Sequence, residues 1–568
     1  MYTASTAFLE ALQEAGVSVI FGNFGSDHPA LLEAIAEARA HGRPIPQVVT
    51  APFEMVGLHA AHGYAQVSGK AQAVVVHVDS GTLTLGGAIH NASKGRAPVL
   101  IFAGLPPFTQ EGELKGSRNE FIMWLQDVAD QRGIVRGYVK YEAELRTGAN
   151  IKQMVLRALQ FAQSDPKGPV YLTGAREVME ERSKPVKVSP SAFAPLKPTA
   201  LGEDAVADIL DDLTAAKRPL IVTSYVGRQP EAVGELVRLC HRLGIGVYES
   251  CPAALNYPQD DALYQGVQWN EPFQHPALAE ADAILVLDSD VPWIQAHNKP
   301  SAKAVIRHVD VDPLKTDIPL WYLPTAASYQ ADSLTALRQL NAALERRKVD
   351  EAKVKARRAR WAELNAERAA KLRAAEAMPK GGITVPYLMA RLREQIGPDA
   401  ICLNESVTNF PAVCNHLTRT KPGTFFTSGA GSLGWSGGAA IGAKLAAPDR
   451  DVVAVSGDGT YMFGVPGSVQ WMARQYGAPY LHVVLNNRGW NAPRFSALAV
   501  HPDGYASKAN SLDIAFDPPP DYAGIAAAAG GAHAQKITQP EEVDAAIAAA
   551  LKAVREEKRA AVIDVWLP

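Results

Sequence analysis

Two oxygen-bearing side chains follow two apolar runs in the last third of this sequence. Asp458 follows residues 452–455 within the motif GDGT, and Asn487 follows residues 481–485. Ligands of open α/β sheets lie at the carboxyl ends of the strands, so we expect these side chains to lie close together. Mg²⁺ prefers near-octahedral oxygen coordination and is often held by one or two protein ligands plus phosphate oxygens. The stretch therefore predicts a magnesium–phosphate site, completed by the backbone carbonyl of Gly489.

Glycines flank this carboxylate on both sides. Gly457 and Gly459 would let the backbone turn sharply and bring its N–H groups close to an anion, with Thr460 next in the chain. The alternative is an ordinary turn followed by an Asn pair that ends a strand, because three-residue matches are common. The order strand, GDGT, helix, strand and Asn pair favours the ligand site.

A second candidate group is a single carboxylate in apolar company. Glu54 lies within the sequence VVTAPFEMV, between Phe53 and Met55. Such neighbours should desolvate the carboxyl group, and desolvation favours its neutral form. Glu54 could then share a proton with a bound ligand. The alternative is a surface residue that caps the following helix.

Alternating helix and strand signals surround both candidates. Residues 1–182 predict a helix at 6–15 and strands at 17–21, 73–78 and 99–103, which indicates a parallel sheet covered on both faces. Residues 381–568 begin in the same way, with helix, Gly, strand and polar turn. This internal similarity predicts two domains of one architecture that flank a different one.

The middle of the chain differs in composition from its two ends. Residues 183–199 are rich in Pro and predict a linker, and 200–345 predict a central α/β domain. The central domain has no GxGxxG dinucleotide fingerprint. Residues 346–380 interleave acidic and basic residues, which predicts a solvated helical connector.

Bulk properties exclude several classes of protein. The chain has 568 residues, a formal net charge of -3, and four cysteines without CxxC spacing. These features give no reason to expect a nucleic-acid partner, a zinc site or a disulfide framework. The sequence lacks a signal peptide and a long apolar run, so we expect no membrane association and a cytoplasmic location.

The combined motifs resemble the signature of thiamine diphosphate (ThDP) enzymes. FGNFGS at 21–26, LNES at 403–406 and the run at 428–459 are similar to benzoylformate decarboxylases within the ThDP-dependent 2-oxo acid decarboxylase/carboligase family. The resemblance implies an α/β fold of three open parallel-sheet domains. These would be a pyrimidine-binding domain at 1–182, the central domain, and a diphosphate-binding domain at 381–568.

The resemblance also implies roles for individual residues of the cofactor site. Glu54 matches the glutamate that activates the aminopyrimidine ring, and Leu433 matches the aliphatic residue that holds the cofactor in its bent form. Asp458, Asn487 and the Gly489 carbonyl match the metal ligands. The remaining residues implied at the diphosphate are Ser406, Thr408, Gly457, Gly459 and Thr460. Val407 departs from the hydroxyl residue usual at its position.

Three residues match substrate-binding or proton-transferring positions of the family. Ser26 matches a serine that binds the substrate carboxylate, and His77 matches a histidine that transfers protons. His297 lies near the position of a second histidine, in a loose alignment. The alternatives are that Ser26 caps a helix that begins near Pro29 and that the histidines are structural. Bulky candidates for the wall of the substrate pocket are Phe24, Trp435, Trp490 and Phe495.

The implied reaction is ThDP- and Mg²⁺-dependent, non-oxidative decarboxylation of a 2-oxo acid, with carboligation as a further outcome. An alternative is an acetolactate synthase-like carboligase, for which FAD in the central domain is possible. Phe53 replaces a His that is common in those enzymes, and His77 occupies a position where those enzymes usually have a small or hydroxyl-bearing residue. A flavin-dependent 2-oxo acid oxidase is a third possibility, and Glu54, Asp458 and Asn487 disfavour a scaffold without activity. The family also implies a homodimer or homotetramer whose active site lies between chains.

Overall fold

The computed structural model describes residues 1–509 and 512–568 and contains three six-stranded sheets in which every strand pair is parallel. The three sheets span residues 19–175, 219–330 and 401–566. This architecture confirms the predicted α/β fold with three parallel-sheet domains. The predicted domain limits at 182, 200, 345 and 381 all fall between sheets.

The first sheet has the strand order β2-β1-β3-β4-β6-β5. Its strands are β1 (Val19–Gly22), β2 (Gln47–Thr50), β3 (Gln72–Val76), β4 (Val99–Leu105), β5 (Tyr141–Leu145) and β6 (Val170–Ala175). The helices around it are α1 (Ala4–Glu14), α2 (Pro29–Ala40), α3 (Glu54–Ser68), α4 (Val78–Leu83), α5 (Gly86–Lys94), α6 (Ile122–Leu125), α7 (Ile151–Gln163) and α8 (Arg176–Glu180). The strand predicted at 73–78 ends earlier, at Val76, so that His77 is the first residue beyond β3.

The central sheet has a different order, β12-β11-β10-β7-β8-β9. Its strands are β7 (Pro219–Thr223), β8 (Gly246–Ser250), β9 (Tyr264–Gln268), β10 (Ala283–Leu287), β11 (Val305–Asp310) and β12 (Ala327–Gln330). Its helices are α9 (Glu203–Ala215), α10 (Pro230–Leu243), α11 (Pro276–Glu280) and α12 (Ser333–Leu344), followed by the long α13 (Glu351–Ala375).

The connector helix α13 is only partly solvated, which corrects the prediction for residues 346–380. One face buries Val354, Arg357 and Trp361, and the Trp361 side chain belongs to the core of the central domain. The Arg357 guanidinium donates to the carbonyl of Leu243 at 2.8 Å and to that of Thr214 at 2.7 Å. These contacts hold α13 against the central domain. The alternating charges of residues 346–380 did not reveal this buried face.

The third sheet has the order β14-β13-β15-β16-β18-β17. Its strands are β13 (Ile401–Glu405), β14 (Phe425–Phe426), β15 (Val452–Gly457), β16 (Leu481–Asn486), β17 (His533–Ile537) and β18 (Ala561–Trp566). Its helices are α14 (Val385–Gln395), α15 (Phe410–His416), α16 (Trp435–Ala446), α17 (Asp458–Phe463), α18 (Pro466–Gln475), α19 (Asn491–Val500), α20 (Tyr505–Ala509), α21 (Tyr522–Gly530) and α22 (Val543–Arg555). Counted from its first strand, this order is that of the first sheet, which confirms the predicted repetition.

Helices α3 and α16 join the first and third domains through small residues. A Cβ atom on Gly63 of α3 would overlap the backbone of Ala439, and one on Gly442 of α16 would overlap the carbonyl oxygen of Ala60. Glycine at these positions therefore lets the two helix backbones come into direct contact. The apolar side chains around this contact form one buried cluster drawn from both domains.

Within residues 1–509 and 512–568, no helix has both the length and the apolar character that crossing a membrane requires.

Candidate active site

Asp458 and Asn487 follow neighbouring parallel strands, β15 and β16, in which Gly457 pairs with Leu485. The Asp458 carboxylate is 2% exposed and accepts N–H hydrogen bonds from Gly459 at 2.8 Å and from Gly489 at 2.9 Å. Burial raises the pKa of Asp458 even though these N–H groups oppose the shift. The Oδ1 atom of Asn487 is buried and has no hydrogen-bond partner among the described residues.

These donors fit a small divalent cation. A buried amide oxygen without a partner is costly in a folded protein, and a metal ion would satisfy it. No group of three or more His, Cys, Asp and Glu side chains in the described parts of the chain could hold a metal. A site with one carboxylate, one amide oxygen and a backbone carbonyl therefore needs oxygen atoms from a ligand to complete its coordination.

At GDGT the chain passes directly from β15 into α17, and neither glycine of the motif has a positive φ. Gly457 has φ -75° and ψ 163°, and α17 begins directly at Asp458. Gly459 lies in that helix, where a Cβ atom would overlap the indole ring of Trp490. The strained residue comes later, at Val465 with φ 52°, immediately before α18. Thr460 is buried in the first turn of α17.

The loop that carries Leu433 is fixed by a residue that the sequence reasoning missed. Glu405, at the end of β13, is 7% exposed and accepts the N–H groups of Trp435 at 2.8 Å and of Ser436 at 2.7 Å. Burial raises the pKa of Glu405 to about 7, against the effect of those hydrogen bonds. Glu405 thus fixes the start of α16 and the half-buried Leu433 that precedes it.

Two other residues of the LNES motif, Asn404 and Ser406, form a hydrogen bond with each other. The buried Ser406 hydroxyl donates to Oδ1 of Asn404 at 2.6 Å, and Thr408 is half-buried. Val407 has φ 46°, a strained conformation for a β-branched residue. The strain lies at the edge of the sheet where the diphosphate was predicted.

Glu54 is the first residue of α3 and is 9% exposed. Its Oε2 atom accepts a hydrogen bond from the Thr84 hydroxyl at 2.7 Å. The alternative of an exposed cap is wrong, because the carboxyl group is buried and Phe53 occupies the N-cap position. Gly81 lies between Glu54 and His77, with its Cβ position 3.0 Å from Glu54 Oε1 and 3.3 Å from His77 Cβ. Glu54 and His77 therefore lie on either side of Gly81, close to each other.

His77 is held by two side chains that were not predicted. Its Nδ1 atom lies 2.5 Å from Asp27 Oδ1, and its Nε2 atom lies 2.8 Å from Gln126 Oε1. Ser26 precedes Asp27 in the chain and is half-buried. The alternative role of Ser26 as a helix cap is wrong, because His28 is the N-cap residue of α2.

Two predicted residues lie elsewhere. His297 is exposed, in the loop that follows β10 of the central domain, and its backbone N–H donates to Ile294. Trp435 is fully buried, with its ring 5.8 Å from that of His62, so it cannot line a substrate pocket. Of the other predicted wall residues, Phe24 is half-buried, Trp490 is 42% exposed and Phe495 is 55% exposed.

The crevice of the central sheet is filled by the chain itself. The strand order reverses between β7 and β10, where open α/β sheets bind dinucleotides. Arg96, from the first domain, enters this crevice and donates to Asp288 at 3.1 Å and to Asp310 at 3.1 Å. The hydroxyl groups of Ser224 and Ser289 are 2.7 Å apart across it. These residues do not fit a dinucleotide at this crevice.

Within one chain, the two halves of the candidate site make no direct polar contact with each other. Among residues 1–509 and 512–568, no hydrogen bond or ion pair joins Glu54 or His77 to Asp458 or Asn487. Both halves lie at the carboxyl ends of strands in sheets of the same topology.

Family models describe three parts of this chain. Residues 2–134 match the N-terminal TPP binding domain of thiamine pyrophosphate enzymes, 206–340 match their central domain, and 407–565 match their C-terminal TPP binding domain. The two TPP binding matches contain the two halves of the candidate site.

Individual proteins are similar over the whole length. The chain is 26% identical to a benzoylformate decarboxylase of Pseudomonas aeruginosa, covering 98% of each, and 24% identical to the acetolactate synthase large subunit of Parasynechococcus marenigrum, covering 97% of this chain and 86% of that one. The fold is similar to that of a thiamine diphosphate-dependent 4-hydroxybenzoylformate decarboxylase of Rhodococcus jostii, with a TM-score of 0.79, 22% identity and 99% coverage of each chain.

Proposed function

Because this chain belongs to the thiamine pyrophosphate enzymes, we propose that it removes carbon dioxide from a small 2-oxo acid and releases an aldehyde, with ThDP and Mg²⁺ bound. One observation carries the choice of reaction. His77, a side chain that can deliver a proton near neutral pH, lies beside Glu54 at the carboxyl end of β3. A proton donor at this place favours an aldehyde product over a ligated one.

The residues that would hold the cofactor are divided between the two TPP binding domains. Glu54 would contact the aminopyrimidine ring and exchange a proton with it, since its carboxyl group is buried and has a hydroxyl partner. Asp458, the unpartnered Oδ1 of Asn487 and the Gly489 carbonyl would hold Mg²⁺. Leu433 would support the bent cofactor. When bound, ThDP supplies the carbon nucleophile and the ring that accepts the electrons released with carbon dioxide.

The substrate would be held and protonated by residues of the first domain. The hydroxyl of Ser26 would bind the 2-oxo acid carboxylate, next to the turn that carries Asp27. His77 would deliver the proton that the product requires. His297 is exposed, so it would contact substrate only if the active site of another chain lay against the central domain at this position.

A carboligase is the second candidate function. The similarity to an acetolactate synthase large subunit supports it. The filled crevice of the central domain speaks against a flavin in that position, so we propose that FAD is not required. Aldehyde and ligated products distinguish the two reactions directly.

We also propose that two chains complete each site. Glu54 and Asp458 are not joined within one chain, and the segment around α6 exposes apolar side chains. Phe121 is 76% exposed, Leu125 is 73% exposed and Trp124 is 45% exposed. Exposed apolar residues so close together are typical of interfaces. Sedimentation of the active enzyme as a dimer or tetramer is expected, and an active monomer would refute this assembly.

A panel of aliphatic and aromatic 2-oxo acids tests the reaction. The protein with added ThDP and Mg²⁺ should release carbon dioxide and aldehyde from at least one acid, with little ligated product. Glu54→Gln should bind the cofactor yet lose most of the activity, whereas Glu231→Gln, at an exposed position on α10, should keep it. Ligated product as the main outcome would favour the carboligase, and an unchanged rate in Glu54→Gln would refute the role of Glu54.

A further inference from the structure

A buried carboxylate stands behind His77. Asp27, in the turn after β1, is 4% exposed. Its Oδ1 atom lies 2.5 Å from His77 Nδ1, and its Oδ2 atom accepts the N–H of Val78 at 3.1 Å. A Cβ atom on Gly104 of β4 would overlap Oδ2, so the strand backbone packs directly against this carboxylate. Asp27 is therefore fixed in place by its surroundings.

The opposite side of the imidazole ring also meets an oxygen atom. His77 Nε2 lies 2.8 Å from Gln126 Oε1, and the Gln126 amide nitrogen donates to the Ser80 hydroxyl at 2.9 Å. A carboxylate oxygen and an amide oxygen only accept hydrogen bonds, so with the Gln126 amide in this orientation both ring nitrogens face acceptors, which favours a ring that donates from both. An imidazole that donates from both nitrogens carries a positive charge. Gly25 packs against the ring, where a Cβ atom would overlap it.

The charges around the ring agree with this state. Burial alone would lower the pKa of His77, but the hydrogen bond and charge of Asp27 outweigh burial and raise it. Burial alone would raise the pKa of Asp27, but His28 and His77 lower it below its usual range. The other titratable groups near the pair are His28, whose Nδ1 atom lies 3.0 Å from the same Asp27 Oδ1, Asp79 on α4, which raises the pKa of His77 less, and Glu54 beyond Gly81.

We propose that Asp27 is a positioning residue that holds His77 as an imidazolium with Nε2–H as the proton-donating group, and that Gln126 covers this N–H until substrate replaces it. The proton-donating part rests on the proposed function, whereas the charged pair does not. In the step, the Nε2–H bond breaks and the proton passes to the substrate. The ring becomes neutral and keeps its Nδ1–H, which remains hydrogen-bonded to Asp27. Water later returns a proton to Nε2.

Histidine Cε1 hydrogen exchange, followed by mass spectrometry of the peptide that carries His77, tests the charged pair without cofactor or substrate. In the wild-type protein the exchange midpoint should lie above the ordinary value of about 6.5. Asp27→Asn should lower it by about one pH unit or more, because the charge and the strong hydrogen bond are lost. Asp79→Asn, the matched control, removes a nearby charge without touching the ring and should lower the midpoint less.

Turnover tests the positioning role. Asp27→Asn should reduce kcat/KM by about 10- to 100-fold, up to the lower end of the usual contribution of general acid catalysis, and should move the pH profile in the same direction as the exchange midpoint. In a His77→Ala background the same change should cost little more, because Asp27 acts through the ring. An equal loss in both backgrounds would mean that Asp27 is only structural, and would overturn the proposal.

The wild-type protein alone also decides the matter if Asp27→Asn does not fold. A wild-type His77 midpoint at or below the ordinary value would overturn the proposal. Gln126→Leu should lower the midpoint modestly and leave Asp27 in place, as a second variant. If the midpoints behave as expected but no 2-oxo acid is decarboxylated, the charged pair stands and the proposed function fails.

Discussion

The contact between α3 and α16 can be tested by the addition of one methyl group. Gly442→Ala would place a Cβ atom against the carbonyl oxygen of Ala60 and near the backbone nitrogen of Tyr64. Because both neighbours are backbone atoms of a helix, neither can rotate away, and α3 must shift as a whole. Overpacking of this kind costs about 1–3 kcal/mol.

Gly234→Ala is the matched control. Gly234 is an exposed residue inside α10, with no atom within 4 Å of its Cβ position. Replacing Gly by Ala within a helix stabilises it by about 1 kcal/mol, and this gain applies at both positions. We therefore expect Gly234→Ala to stabilise α10 by about 1 kcal/mol and Gly442→Ala to be neutral or destabilising by up to about 2 kcal/mol.

Amide hydrogen exchange measures both effects locally, which matters because a chain of three domains need not unfold in one step. The amides of α3 should exchange faster in Gly442→Ala, and ThDP should bind more weakly because Glu54 begins that helix. Exchange in α3 should be unchanged in Gly234→Ala. If Gly442→Ala protected α3 as well as the wild-type sequence does, the inferred close packing would be refuted.

Three further outcomes are expected. Asn487→Ala should weaken Mg²⁺-dependent ThDP binding by about 10- to 100-fold in a fluorescence titration, because the cation loses a ligand, and unchanged binding would place the metal elsewhere. The pKa of Glu405 is raised to about 7 in the folded protein, so the stability that its neutral form contributes should fall by up to about 3 kcal/mol as pH rises from about 4.5 to 7. Thermal melts of Glu405→Gln should lack this dependence of the melting temperature on pH. The purified protein should show no flavin absorption band, because Arg96 and its aspartate partners fill the central crevice, and bound FAD would refute that interpretation.

Motifs and repetition were enough to predict the three-sheet fold and to place Asp458 and Asn487 after neighbouring strands. The similar openings of residues 1–182 and 381–568 indicated a repeated architecture, and the shared strand order confirms it. Asp458 and Asn487 could be placed because strand, turn and strand signals are local. Local signals of this kind survive in a single sequence, since each depends on neighbouring residues.

The contacts that were missed link residues far apart in the chain. Asp27 meets His77 across 50 positions and Glu405 meets Trp435 across 30, so neither pair has a local pattern. Trp435 was predicted to line a pocket because it is bulky and near the motif. As the first residue of α16, however, it points into the core between two domains.

The packing of α3 on α16 has a consequence for mixed oligomers. The helix that begins with Glu54 and the helix that follows Leu433 pack tightly against each other in one polypeptide. Within that polypeptide, Glu54 makes no hydrogen bond with Asp458. If each site forms between chains, a Glu54→Gln polypeptide and an Asp458→Asn polypeptide, both inactive alone, should regain turnover when they are co-expressed. Each dimer of one Glu54→Gln chain and one Asp458→Asn chain would then contain one site with both substitutions and one site with neither.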